Sequence, residues 1–587
     1  MNKPTDKPMN EAMDKPTDKP IEKVMDTPTD KPKKAWTIMV YMAGDNNLSE
    51  DMITGLKGMM GIGDKANINL LALYDGCYPA APIKFYNFSQ TPANLDPRES
   101  VRKVRLKNFE DELLLHKAAA GGVGTATTKT TAIAAEGAHS ANDLFKLEEF
   151  VKRVVGGYEA DHFALILSGH SDGVIGKTLL RDENPNISLS LTGLRRVLER
   201  ALPKKDNKIR KLDLIGFDGC LMGMLEVGCE LKGVAKVLVA SEGNIPTAGW
   251  PYKEILEEII SERGNLDKEK FGVSIVEKYA LFNEDYAIGG RSINISACNL
   301  EELDKDQPNG TALKKSTLFD VVQELGGLLL QLLSLPTKVA GSVTQEEADK
   351  NKVVKEKFID WMLLSHLRSQ TFMHGQAVDI VDFISNLLLH YPKWLGECKI
   401  INPASSDSTS QKSADSTAGM IEEQINSIFD KFTAINKAIN EKGEKYVLRS
   451  CSSGAEYQFS QGVSVFLPWT KMAFDMIRGR YRRLTFSHEN QNWFNFIDRF
   501  TDLTLREKGD RPHIETKDEF FKLSFDDVRH KEVGGREGGG REVGGREVGG
   551  RGVSADFYLY FSQIRNYRAD VFENRCVEEP SSVPEGQ

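Results

Sequence analysis

Five short apolar runs set what this chain can fold into: WTIMVYMA (36–43), INLLALY (68–74), FALILS (163–168), LDLIGF (212–217) and KVLVAS (236–241). Segments with helical character separate them, among them 143–155 and 190–201. A strand that is apolar almost without a break has no face to give to water, so both of its sides must be covered. Helices lying between such strands provide the cover. The pattern predicts an α/β fold, a mostly parallel sheet flanked by helices. With 40% hydrophobic residues in 587, the chain has ample material for that core.

The rest of the chain divides by composition. Residues 75–140 are irregular, polar and rich in Ala, Gly and Thr, and read as a long insertion in a core of 35–300. From 253 to 440 helices dominate, for example 316–335 and 377–390, so 301–503 reads as a largely helical second part. It closes with a late strand, GVSVFLP (462–468), and an aromatic helix ending near Phe500. Residues 1–34 repeat KPTDKP and TPTDKP, and proline at that frequency forbids regular structure, so a disordered tail is expected. The C-terminal extension, 504–587, carries a Gly-Gly-Arg repeat at 532–553 that buries too little apolar surface to fold and reads as a flexible linker. Its DFYLYFSQIR (556–565) reads as one more strand or helix.

Charge and cysteine usage exclude several classes. A net charge of −9, with no Lys/Arg run interleaved with aromatics, argues against nucleic-acid binding. No run reaches the roughly 18 apolar residues of a membrane-spanning helix. The first thirty residues hold no apolar stretch after a basic start, so a cytoplasmic protein is expected, with secretion by an unusual route left open. Seven cysteines without C-x-x-C spacing suit neither a disulfide framework nor a zinc site, and no metal ligand set is assigned.

Two strand ends carry chemistry. The strand at 163–168 runs into Gly169-His170-Ser171-Asp172-Gly173, and the strand at 212–217 into Asp218-Gly219-Cys220. In an open parallel sheet, ligands bind at the carboxyl ends of the strands. If these two are parallel neighbours, His170 and Cys220 share one rim, and the imidazole can take the thiol proton or pair with the thiolate. A helix starting just after Cys220 would favour the thiolate further. Backbone N–H groups at the turns, at Ser171 and Gly219, are placed to hold the oxyanion of a tetrahedral intermediate. A lone cysteine at a strand end is more often core filler, and a lone histidine more often structural. The pair, 50 positions apart as in caspases, is harder to assign to chance.

In order along the chain, WTIMVYMAGDNNLSEDM, HFALILSGHSDG, FDGCLMGMLEV, VASEGNIPTAGWPY, AVDIVDFI and GVSVFLP resemble the clostripain family of cysteine peptidases over roughly 35–503. The resemblance implies a caspase-like fold and an endopeptidase acting on proteins or peptides with Arg or Lys at P1. Cys220 would be the nucleophile, His170 the general base and acid, and Asp218 the floor of the S1 pocket. A carboxylate two residues from the nucleophile is independently suited to a cationic side chain, although a turn-forming or capping acid is the plainer use of Asp218. The family usually has glycine after the histidine, whereas this chain has Ser171, which keeps a backbone N–H but narrows the φ/ψ range. Some members cut themselves between the two strands; here 171–211 offers Lys177, Arg181, Arg195, Arg196, Lys204 and Lys205, with Lys177 or Arg181 expected. No cofactor is required by the sequence, and calcium dependence, known in part of the family, is not decided by it, as no EF-hand-type loop occurs. Two other readings stay open. GHSDG fits the G-x-S-x-G nucleophile elbow, which would make Ser171 a serine-hydrolase nucleophile, though none of His366, His374, His390 or His488 stands in a matching context. A catalytically inactive peptidase fold serving as a binding scaffold is the other.

Overall fold

The computed structural model describes residues 33–504, apart from 61, 63–66, 77–82, 89–106, 109–140, 177–178, 184–185, 263–264, 285–290, 304–316, 339–340, 342–343, 374, 401–445 and 469–470. Both repeat tails, DFYLYFSQIR, Lys177 and His374 lie outside the described residues. The main sheet has nine strands among the described residues: β1 (Lys34–Gly44), β2 (Ile68–Gly76), β3 (Lys84–Asn87), β4 (Lys107–Asn108), β5 (Ala160–Ser168), β6 (Leu212–Asp218), β7 (Ala235–Ala240), β8 (Ile293–Asn299) and β9 (Val447–Ser453). Their spatial order is β9-β8-β7-β6-β5-β1-β2-β3-β4. The five strands expected from apolar runs form its parallel centre, with β1 between β2 and β5, and β6 between β5 and β7.

These strands carry no polar face because the pleat sends alternate residues into two cores. In β1, Trp36, Ile38, Val40 and Met42 join one apolar cluster, and Met39, Tyr41 and Ala43 the other. Helices α1 (Ser49–Met59), α5 (Tyr252–Ser261) and α6 (Lys268–Phe282) cover the first face. On the second face lie α2 (Ala141–Gly157), α3 (Leu191–Ala201) and α4 (Leu225–Leu231). α3 shows how local signals agree with packing. Leu191, Leu194, Val197, Leu198 and Ala201 recur at helical spacing and are buried, while Ser190 caps the start by accepting from the Gly193 N–H at 3.0 Å. Such a cap contributes about 1 kcal/mol.

Four expectations are modified. Part of the stretch read as an irregular insertion pairs with the sheet, since β3 lies antiparallel to β2. α4 starts at Leu225, not just after Cys220, so its dipole does not act on the thiol from one turn away. The stretch read as mainly helical contributes β8 and β9, which extend the sheet antiparallel beyond β7. In addition, Ala377–Asp379, at the start of an expected helix, is a strand, and helix follows only from Ile380. It pairs with Thr371–Phe372 and with the late strand, Ser464–Phe466, in a separate three-stranded sheet. The stretches 35–300 and 301–503 share one apolar core, which runs from β5 and β6 to Trp493 and Phe500.

Candidate active site

The register of the sheet brings the two reactive turns together. β5 and β6 are parallel neighbours, with Asp218 paired to Ser168, and the Gly169 N–H donates to the Asp218 carbonyl at 3.1 Å. His170 and Cys220, each two residues beyond that pair, therefore leave the sheet side by side. Both are half-buried, and with Asp218, Gly219 and Gly169 they line a cleft. α1 forms one wall with Asp51, Met52 and Gly55; Ile245 to Gly249 and Tyr252 form another.

Gly219 is required by close approach. A Cβ there would come within 2.6 Å of the backbone carbonyl of Gly169 and of the Ser171 side-chain Oγ, both in the histidine turn. The Ser171 hydroxyl donates to the Cys220 carbonyl at 2.7 Å, so the serine ties the two turns together. It is buried and committed to that bond, which leaves no free hydroxyl for the serine-elbow reading. His366 and His390, which that reading would need, are engaged elsewhere, with the Leu467 carbonyl and with Arg368. After Cys220 the chain turns through Leu221 at φ 62°, a strained value for leucine, held by its N–H to the Gly243 carbonyl at 3.0 Å. Ile245 N–H approaches Cys220 Sγ at 3.5 Å.

The electrostatics of the thiol depart from expectation. Burial pushes the Cys220 thiol up from its ordinary value, the Ile245 N–H opposes this, and the negative charges of Asp172 and Asp218 add to the rise. Burial and these charges together favour the protonated thiol over the thiolate.

Asp218 is buried at the base of the cleft, and its carboxyl is raised to about 6 by desolvation, against hydrogen bonds from Tyr252, Ser168 and the Trp250 backbone. Oδ2 accepts from Tyr252 OH at 2.9 Å and from Ser168 Oγ at 3.0 Å, while the buried Oδ1 meets no donor in full hydrogen-bond geometry. Gly249, at φ +69°, lets the backbone pass this carboxylate; a Cβ would sit 2.9 and 3.0 Å from its oxygens. The acid caps no helix in this arrangement.

Of the two expected self-cleavage positions, Lys177 lies outside the described residues. Arg181 is half-buried, and its carbonyl accepts from Asn46 Nδ2 at 2.7 Å. Among the described residues no group of three or more His, Cys, Asp or Glu is arranged to hold a metal ion. The buried acids Glu242 and Asp379 accept from the Gly462, Asp382 and Gln461 N–H groups.

Reasoning from sequence passed over Asn47, Asp51, Gly249 and Tyr252. Gly249 and Tyr252 stand in the quoted TAGWPY, and Asn47 and Asp51 in the quoted DNNLSED, so the signal was present without a role attached.

The sequence profile of the clostripain family matches residues 40–500. Clostripain of Hathewaya histolytica is 25% identical over 252 residues, covering 40% of this chain and 44% of clostripain, so the chain matches less than half the length of that relative. Among solved structures, an inactive zymogen C11 protease from Parabacteroides distasonis aligns at 17% identity with a TM-score of 0.40, covering 78% of this chain and 99% of that one. A secreted C11 cysteine protease from Bacteroides thetaiotaomicron, in complex with an irreversible peptide inhibitor, aligns at 14% identity with a TM-score of 0.42, covering 79% and 99%.

Proposed function

The chain belongs to the clostripain family of cysteine peptidases, and we propose that it is an endopeptidase that cleaves protein or peptide chains after Arg or Lys through a His170–Cys220 dyad. The observation that carries the specificity is Asp218, a buried carboxylate two residues from the thiol with one oxygen short of a donor. A buried carboxylate without a counter-charge is costly, and a P1 guanidinium or ammonium supplies that charge.

His170 takes the Cys220 proton, and Sγ attacks the carbonyl carbon of the P1 residue. The developing oxyanion is held by backbone N–H groups of the Ser171 and Gly219–Cys220 turns. The tetrahedral intermediate collapses as the imidazolium gives its proton to the leaving amine, forming a thioester. Water, deprotonated by the same imidazole, then releases the acid and restores the thiol.

Self-processing between β5 and β6 is part of this reading, with the cut after Lys177. Arg181 suits it poorly, because its carbonyl is engaged by Asn46 and its side chain is half-buried.

The test is a set of fluorogenic peptides that differ only at P1, carrying Arg, Lys, Asp or Asn, with and without calcium. Turnover confined to Arg and Lys, abolished by Cys220→Ala and only reduced by Ser171→Ala, is the expected result. Turnover after Asp or Asn would overturn the pocket assignment. Loss of activity with Ser171→Ala but not Cys220→Ala would overturn the dyad, and silence from every peptide would favour an inactive scaffold.

A further inference from the structure

A dyad imidazole works only if its proton sits on the nitrogen that faces away from the thiol. One ring nitrogen must be a bare acceptor toward Sγ, which requires the other to be a donor to something fixed. We propose that Asn47 is that fixed acceptor, a positioning residue that sets the tautomer and the orientation of His170. The proposal rests on the dyad reading above and extends it to a third side chain.

Its geometric basis is direct. His170 Nε2 lies 2.6 Å from Asn47 Oδ1. An amide oxygen only accepts, so Nε2 carries the proton and Nδ1 keeps the lone pair. When Nδ1 takes the thiol proton, Nε2–H still has its partner, so the bond supports both the neutral base and the imidazolium.

The fold explains why Asn47 is there. β1 and β5 are adjacent with Met42 opposite Ser168, so the turn leaving β1 lies beside the turn that carries His170. Asn46, buried at 3% exposure, locks that first turn. Its Nδ2 donates to the Ala43 carbonyl at 2.9 Å and to the Arg181 carbonyl at 2.7 Å, and its Oδ1 accepts from Leu48 N–H at 2.9 Å. The side chain of Asn47 is left at the rim, facing the ring. The histidine backbone is held separately, its carbonyl accepting from Leu180 N–H at 2.8 Å.

Asn47 is solvent-exposed, which limits the worth of the bond. Losing one such bond corresponds to about a tenfold fall in kcat, without a matching change in KM. The test compares wild type with Asn47→Ala and Asn47→Asp. It measures kcat and KM on an arginyl peptide, and the pH dependence of Cys220 alkylation by iodoacetamide, which reads thiolate formation. Expected for Asn47→Ala are a kcat lower by about tenfold and a thiolate midpoint moved to higher pH. Asn47→Asp keeps an acceptor and adds charge that favours the imidazolium, so kcat is largely retained and the midpoint moves to lower pH. A merely structural residue would move neither midpoint. Wild-type kcat and midpoint in Asn47→Ala would overturn the proposal, as would an Asp variant that behaves like Ala. Activity surviving in His170→Ala would instead overturn the dyad itself, so the two failures are distinguishable.

Discussion

Asp218→Asn should stabilise the protein while disabling it. Its carboxyl is raised from 3.8 to about 6 in the folded state, with burial as the leading cause. A shift of about two units corresponds to about 3 kcal/mol. Because the folded acid holds its proton more tightly than the unfolded one, this stability is present at low pH. It is lost as the pH rises from about 4 to about 6. Above that window the ionised carboxylate burdens the fold, and that strain is what a P1 cation relieves. Asparagine keeps an acceptor for Tyr252 and Ser168 but has no charge to bury. The comparison is denaturant unfolding of both forms between pH 4 and pH 8, in a Cys220→Ala background that prevents self-cleavage. The stability difference should move in favour of Asn by about 3 kcal/mol across the window. In enzyme with the thiol intact, the same change should lower kcat/KM for arginyl peptides by about 100-fold or more, the worth of a charge-assisted bond in a dry site. A stability difference that does not change with pH would refute the reasoning about burial, and full activity toward arginyl peptides would refute the pocket.

Tyr252→Phe removes the donor to Asp218 Oδ2 at 2.9 Å; the acid limb of kcat/KM should climb from about 6 by about one pH unit, and an unmoved limb in a pH–rate profile would contradict this. Gly219→Ala forces a Cβ to within 2.6 Å of the Gly169 carbonyl, and the displaced thiol should cost about 100-fold or more in kcat, checked by steady-state kinetics beside circular dichroism. Lys177→Ala should abolish the internal cut seen by intact-mass spectrometry after incubation, whereas Arg181→Ala should leave it; the reverse pattern would mean that the Asn46 contact to the Arg181 carbonyl does not protect that bond.

The parallel centre of the sheet could be read in advance because its strands are buried on both faces and are therefore written in apolar, β-branched residues. β8 could not. INISACN contains polar residues whose burial is tolerated only through distant partners, with Asn294 Nδ2 donating to Ser460 Oγ at 3.0 Å and Ser296 Oγ to the Gly462 carbonyl at 2.6 Å. β9, VLRSCSS, lies at the edge of the sheet and lacks a continuous apolar run for the same kind of reason. At the site, His170, Cys220 and Asp218 stood out as reactive groups at strand ends. Asn47 and Tyr252 did not, because an asparagine in a turn and a tyrosine at a helix start have ordinary structural uses. Their roles arise when β1 is laid beside β5, and when α5 is brought against the end of β6. Desolvation, which raises the Cys220 thiol, is a property of the packed cleft that no local motif encodes.

The central claim is that Cys220 attacks the bond after a basic residue held by Asp218. The most direct measurement is covalent capture: incubate the full chain with an irreversible electrophilic ketone carrying arginine at P1, beside the matched citrulline compound, and map the adduct by peptide mass spectrometry. One adduct is expected, on Cys220, formed with the arginyl compound, weak or absent with citrulline, and lost in Asp218→Asn. An adduct on Ser171, or equal labelling of Cys220 by both compounds, would contradict it.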